Sequence, residues 1–142
     1  MADLDHGTSN TSEPNYVTID LPFHSAGETI EVLASIALRE TALPEGSTPF
    51  DGREMRMRRV TLEPGGVIAA HPHDNRPAIL YIAVGTLVEY STDKDVAVEH
   101  AAPAIVVPTA AHWWRNAGEH TAVIIGVDLF DPATDGAPAG IV

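Results

Sequence analysis

From Arg53 to Phe130 the chain is a succession of short runs rich in β-branched and aromatic residues, each cut off by glycine, proline or a polar turn. Arg53–Glu63 ends at Pro64-Gly65-Gly66. Val67–His73, then Ala78–Val84 up to Gly85, then Thr86–Tyr90 follow closely. Asp95–Glu99, Ala104–Val107, His112–Arg115 and Thr121–Phe130 complete the series. Breaks at this spacing leave no room for a helix with a continuous apolar stripe, and no segment after Gly52 shows a helical period. Short strands punctuated in this way predict an all-β sandwich or barrel.

Upstream, Ile30, Val32, Ala34, Ile36 and Leu38 alternate as a half-buried strand would, although Ser25 and Glu28 also have the spacing of a capping box before a short helix. The strand is the preferred reading. Residues 41–52 carry Pro44, Gly46, Pro49 and Gly52 and are predicted to be a loop. With 142 residues the chain has length for one domain. Polar residues 1–15 read as a flexible N-terminal tail, 16–130 as the domain, and the Pro/Gly-rich residues 131–142 as a C-terminal tail.

Eight basic against 20 acidic residues give a net charge of −12. Such a chain repels phosphate backbones and anionic bilayers, so neither nucleic acid nor a membrane is expected as a partner. No run approaches the roughly 20 apolar residues of a membrane helix, and the start does not read as a secretory leader. The chain has no cysteine, which excludes disulfides, thiolate metal sites and a cysteine nucleophile. The expected location is the cytoplasm.

Three histidines carry the chemistry. His71 and His73 form an H-x-H pair, and on a strand side chains two apart share a face. His112, on a later predicted strand beside Trp113 and Trp114, can supply a third imidazole. Three such nitrogens can hold a divalent ion at about 2.0–2.1 Å. His6, His24, His100 and His120 lack paired spacing and are assigned no part in the site. Arg56 and Arg58 share one face of their predicted strand, Met55 and Met57 the other. The preferred reading is an outward arginine stripe pairing with surface carboxylates; the alternative is an inward pair that grips a substrate carboxylate bidentately. Arg76 is expected to tie down its loop. Trp114 shares a face with His112 and can wall a pocket, while Trp113 faces outward. Tyr81 and Tyr90 are candidate pocket hydroxyls or packing residues. Glu63, Glu89 and Asp128 could each supply a carboxylate; Asp128 is the best placed of them, on a strand passing near the site, although a strand-end charge is the preferred reading.

Gly65, five residues, His71-Pro72-His73, four residues, Ala78, six residues and Gly85 reproduce the spacing of the first cupin motif, with Ala78 in the place of its glutamate. Pro108-Thr109-Ala110-Ala111-His112, three residues and Asn116 resemble the second motif, one residue short and with alanine where glycine is usual. The chain therefore resembles the cupin superfamily, in particular small single-domain bacterial cupins. The resemblance implies a double-stranded β-helix, or jelly-roll-like barrel, that often pairs as a homodimer. It also implies a divalent metal on His71, His73 and His112, with Ala78 unable to ligate. Iron is the expected metal, with zinc, nickel or manganese as alternatives.

A neutral three-histidine shell leaves adjacent coordination positions open for a small oxygenated organic anion and for dioxygen or water. The expected function is accordingly a metal-dependent, dioxygenase-type oxidoreductase acting on a small molecule. A non-oxidative isomerase, cyclase or lyase and a non-catalytic ligand-binding barrel stand as the alternatives. Arg56, Arg58, Tyr81, Trp114 and Asp128 are the candidate pocket residues.

Overall fold

The computed structural model of the chain describes residues 22–38, 45 and 52–135. These form eight strands: β1 (Ala26–Ala37), β2 (Glu54–His71), β3 (Ala78–Val84), β4 (Thr86–Ser91), β5 (Val98–Ala101), β6 (Ala104–Val106), β7 (His112–Arg115) and β8 (Ala122–Phe130). They pair antiparallel in the order β5-β4-β7-β2-β8-β3-β6, with β1 added alongside β2, and make a nearly closed barrel. The all-β expectation holds. The N-terminal segment is a strand, and Ser25 caps no helix: its hydroxyl accepts the amide of Ala69 at 2.9 Å. The predicted loop lies largely outside the described residues, as do both tails apart from residues 131–135.

The two strands predicted on either side of Pro64-Gly65-Gly66 are one element, β2, which bends there. Its first half, Glu54–Leu62, pairs with β8; its second half, from Val67, pairs with β7. Gly65 takes the left-handed conformation (φ 76°) that turns the corner. Asn116 fastens it. The backbones of Gly65 and Gly66 exchange hydrogen bonds with Asn116 at 2.8 and 3.0 Å, and the buried Asn116 amide donates to the carbonyls of Leu62 and His120. The bend lets β2 serve both walls of the barrel and deliver its last residue, His71, opposite His112.

Strict alternation fills the interior. Ala78, Leu80 and Ile82 on β3, Ala122 and Ile124 on β8, and Val60 and Leu62 on β2 point inward with Leu87, Val106 and Trp114. Burying a side chain of the Leu62 or Ile82 class stabilises the fold by about 1.5–3 kcal/mol.

The same parity reverses the expectation for the arginines. Val60 and Leu62 are inward, so Arg58 and Arg56 are inward too, and Met55 and Met57 stand exposed on the outer face. The outward stripe is limited to Arg59, whose ion pair with Glu31 at 2.8 Å is solvent-exposed and worth little. Asp128 is likewise no strand-end charge: it occupies an inward position of β8 and is 2% exposed.

Candidate metal centre

His71 closes β2 and His112 opens β7, and the two are register partners. Pro72 then ends the ladder, having no amide to donate. His73 therefore reaches the cluster not by strand alternation but through a turn in which the Arg76 amide donates to the His73 carbonyl at 3.2 Å. Nε2 of His112 lies 3.0 Å from Nε2 of His73 and 3.1 Å from Nε2 of His71. The three ring centroids are 4.7–5.0 Å apart.

Proton accounting shows what these nitrogens offer. A neutral imidazole carries one N–H. Nδ1 of His71 faces the carbonyl of Ala69 at 2.8 Å, Nδ1 of His73 the carbonyl of Arg76 at 2.9 Å, and Nδ1 of His112 a carboxylate oxygen of Glu89 at 2.7 Å. All three partners only accept, so each ring's proton sits on Nδ1 and each Nε2 presents a lone pair. The indole N–H of Trp114 donates to Nε2 of His112 over 3.3 Å, which confirms a lone pair there and means that an ion binding His112 would displace this long contact. Three lone pairs converging at these distances repel one another unless a cation lies among them. Burial, joined by mutual repulsion with the neighbouring rings, pushes His71 down to about 3 and lowers His73 as well, so both keep their lone pairs at neutral pH.

The spacing fits a first-row divalent ion. Two nitrogens about 2.1 Å from such an ion and at right angles to each other lie about 3.0 Å apart. The donor set is all nitrogen, which suits iron, zinc, nickel and other first-row ions alike.

Glu89 is the residue that sequence reasoning undervalued. It is 2% exposed, faces inward from β4, and receives His112, His100 (2.9 Å) and Lys94 (3.5 Å). Burial alone would raise its carboxyl, but hydrogen bonds from His112 and His100 outweigh it and hold the group at about 2. A carboxylate behind a ligating histidine fixes the tautomer and makes the ring a better donor. His100, assigned no part in the site from its spacing, belongs to this support. The available signal was parity: Glu89 is two residues from Leu87 in a run of strand formers.

Ala78 is buried and faces inward, yet its methyl group offers no donor atom. Directly opposite it on β8 stands Asp128. That carboxylate is engaged by arginine: Arg56 grips it bidentately at 3.0 and 2.8 Å, Arg58 Nη2 lies at 3.3 Å and Arg76 Nε at 3.8 Å. Arg56 is also stacked on Phe130, 3.6 Å above the ring centroid. Arg76 thus belongs to the interior rather than only to its loop.

A cavity of about 370 Å³ runs from this arginine group to His71, with Trp114, Val60, Leu80 and Ile124 among its walls. Of the five candidate pocket residues, Arg56, Arg58 and Trp114 line it, and Asp128 lies behind it in the arginines' grip. Tyr81 does not. It is 44% exposed on the outer face of β3, where alternation places it beside Ile79. Tyr90 stacks on Trp113 at 3.8 Å, also away from this cavity.

No protein-family model and no curated protein matches the chain. Solved structures do match in fold. A cupin 2 conserved barrel domain protein from Salinispora arenicola CNS-205 is 14% identical with a TM-score of 0.51, over 93% of this chain and 92% of its own. A cupin-2 domain protein from Rhodospirillum rubrum is 14% identical with a TM-score of 0.52, over 75% and 62%. KdgF from Halomonas sp. is 13% identical with a TM-score of 0.53, over 72% and 80%. The chain has the cupin fold, and His71, His73 and His112 form a three-histidine cluster inside its barrel.

Proposed function

We propose that His71, His73 and His112 hold a divalent first-row metal, iron first among them, and that the barrel transforms a small oxygenated organic anion as a dioxygenase-type oxidoreductase. The observation that carries this reading is the convergence of three unprotonated Nε2 atoms whose Nδ1 protons are all committed elsewhere. A divalent ion there would supply Lewis acidity toward a chelating anion and, if it is iron, access to dioxygen chemistry. The protein's own part is to keep three uncharged donors aimed at one point, so that an anion meets the full positive charge of the ion. Val60, Leu80 and Ile124 would face the carbon skeleton of the anion, and the cavity's arginines would orient it.

Elemental analysis of untagged protein, with His112→Ala as the control, tests the site. About one iron per chain, lost in the variant, together with oxygen consumption on β-diketones or related anions, is the expected result. Zinc, nickel or manganese in that ratio would turn the reading toward non-oxidative isomerase, cyclase or lyase chemistry. No metal after reconstitution would overturn the enzyme reading in favour of a ligand-binding barrel.

We propose also that the protein works as a homodimer. Cross-strand rows Ala34–Met57–Val127–Ile79 and Arg59–Ile125–Tyr81–Ile105 cover the outer face of β1, β2, β8, β3 and β6. Ile79, Tyr81, Ile105 and Met57 are 41–71% exposed there. Together these rows make a continuous apolar patch on the outer face, of the kind that often carries a contact. On a chain of charge −12, a mostly apolar face whose Arg59 is paired with Glu31 suits a second copy better than a charged partner. Light scattering should give a dimer mass, and Tyr81→Glu with Ile105→Glu should give a monomer.

A further inference from the structure

Arg58 and Arg76 each keep a buried Nε–H that has no hydrogen-bond partner among the described residues. Both line the cavity that reaches His71. Among the described residues the carboxylate within 4 Å of both, Asp128, cannot serve them fully, and Glu28 acts on Arg58 only from a distance. Arg56 already takes both of its oxygens, which leaves Arg58 at 3.3 Å and Arg76 at 3.8 Å. Buried guanidinium donors left unmade are costly, and those of Arg58 are buried enough to lower its affinity for its proton. Two other carboxylates, Glu28 and Asp135, belong to the cavity lining. Among the described residues neither is paired with a guanidinium, and Asp135 is occupied in its own turn by the amide of Asp131 and the hydroxyl of Thr134.

From this geometry we infer that Arg58 and Arg76 form a seat for an oxyanion, so that the molecule handled by the barrel carries two acidic groups: one directed at the histidine cluster and one, a carboxylate or phosphate, held by these two arginines. The first half rests on the metal reading above; the second does not. Arg56 has a separate task. It neutralises Asp128 and is pinned on Phe130, so it holds the carboxylate that keeps the other two guanidiniums in place. Guanidinium forks match the planar oxygens of a carboxylate and the tetrahedral oxygens of phosphate, and the apolar stretch between the two ends accommodates a short carbon chain.

The test separates the two halves. Succinate and inorganic phosphate are titrated, at matched ionic strength and millimolar concentration, into chelator-treated wild-type protein, into Arg58→Gln/Arg76→Gln and into His112→Ala, with binding read by calorimetry and by the shift in Tm. The expected result is binding by the wild type and by His112→Ala, reduced at least tenfold in the arginine variant; the tighter of the two probes names the oxyanion. Equal binding in the arginine variant, or no binding of either probe to the wild type, overturns the seat whether or not the protein takes up metal.

Should the double variant fail to fold, the single variants Arg58→Gln and Arg76→Gln decide in the same metal-free titration: weakened binding of the probe in both is expected, and wild-type binding in both overturns the seat. Failure of the metal reading shows differently, as wild-type protein that binds no ion yet still binds the probe.

Discussion

Ala78 on β3 and Asp128 on β8 stand directly opposite each other, both facing into the barrel. The carboxylate across the sheet from Ala78, where the cupin motif would place a fourth ligand, is thus already spent on Arg56, Arg58 and Arg76. Its role is to neutralise arginine. Asp128→Asn should therefore retain metal at the wild-type ratio, as measured by elemental analysis, while its stability falls. Asp128→Ala, which strands three guanidiniums, should cost on the order of 3–5 kcal/mol in urea unfolding. Arg56→Met should cost less, because Asp128 keeps two arginines. A folded Asp128→Asn protein without metal would make Asp128 a ligand instead.

Glu89→Gln should lower metal affinity by about 10–100-fold while leaving the barrel folded. The amide can still accept from Nδ1 of His112, but it withdraws the negative charge that His112, His100 and Lys94 now share. Competition with a chromogenic chelator measures the change. Unaltered affinity would reduce Glu89 to a packing residue.

Much of this architecture could be read from residue order, and the misreadings have one physical source. Strand existence followed from the Gly/Pro breaks, and the histidine cluster from motif spacing. Which face of β2 looks inward did not follow, because Arg56 and Arg58 alternate with Met55 and Met57, and hydrophobicity alone sends the methionines inside. The interior carboxylate Asp128, 72 residues away, settles the parity the other way. Similarly, Pro64-Gly65-Gly66 reads as a stop, yet Asn116 bonds across it and converts the stop into a bend. Both decisions are made by partners distant in sequence, where local patterning carries no information.

Stability should fall as pH drops below neutrality. His71 has its folded pKa pushed from 6.5 down to about 3, and His73 is shifted the same way. Between those limits the unfolded chain binds protons that the folded protein refuses, so acid favours unfolding. The slope is at most about 1.4 kcal/mol per pH unit for each histidine. Glu89, depressed from 4.5 to about 2, adds a second loss as pH falls through that lower window. Urea midpoints for metal-free protein should stay nearly level at about pH 7.5 and decline progressively below about 6.5, and His71→Gln should flatten the decline. A flat profile in the wild type would mean that these rings protonate freely in the fold.

Gly85 offers a test of the barrel itself, away from the donor atoms. It joins β3 to β4 at φ 85°, a conformation that L side chains rarely adopt, and its carbonyl accepts the amide of Ala102 at 2.9 Å. A Cβ added there would stand 2.9 Å from Cβ and 3.0 Å from Cα of Ala122, which is itself fully buried. Backbone strain and overpacking act together, each on the order of 1–3 kcal/mol, so Gly85→Ala should lower Tm by several degrees or more. Because β4 carries Glu89 and pairs with β7, which carries His112, a shift of this junction should also loosen the metal centre. The variant should lose metal affinity in proportion to its loss of stability, and Ala122→Gly in the same chain should recover part of both by removing the methyl group in the way. Full metal affinity in a strongly destabilised Gly85→Ala protein would show that the histidine cluster is held by β2 and β7 alone.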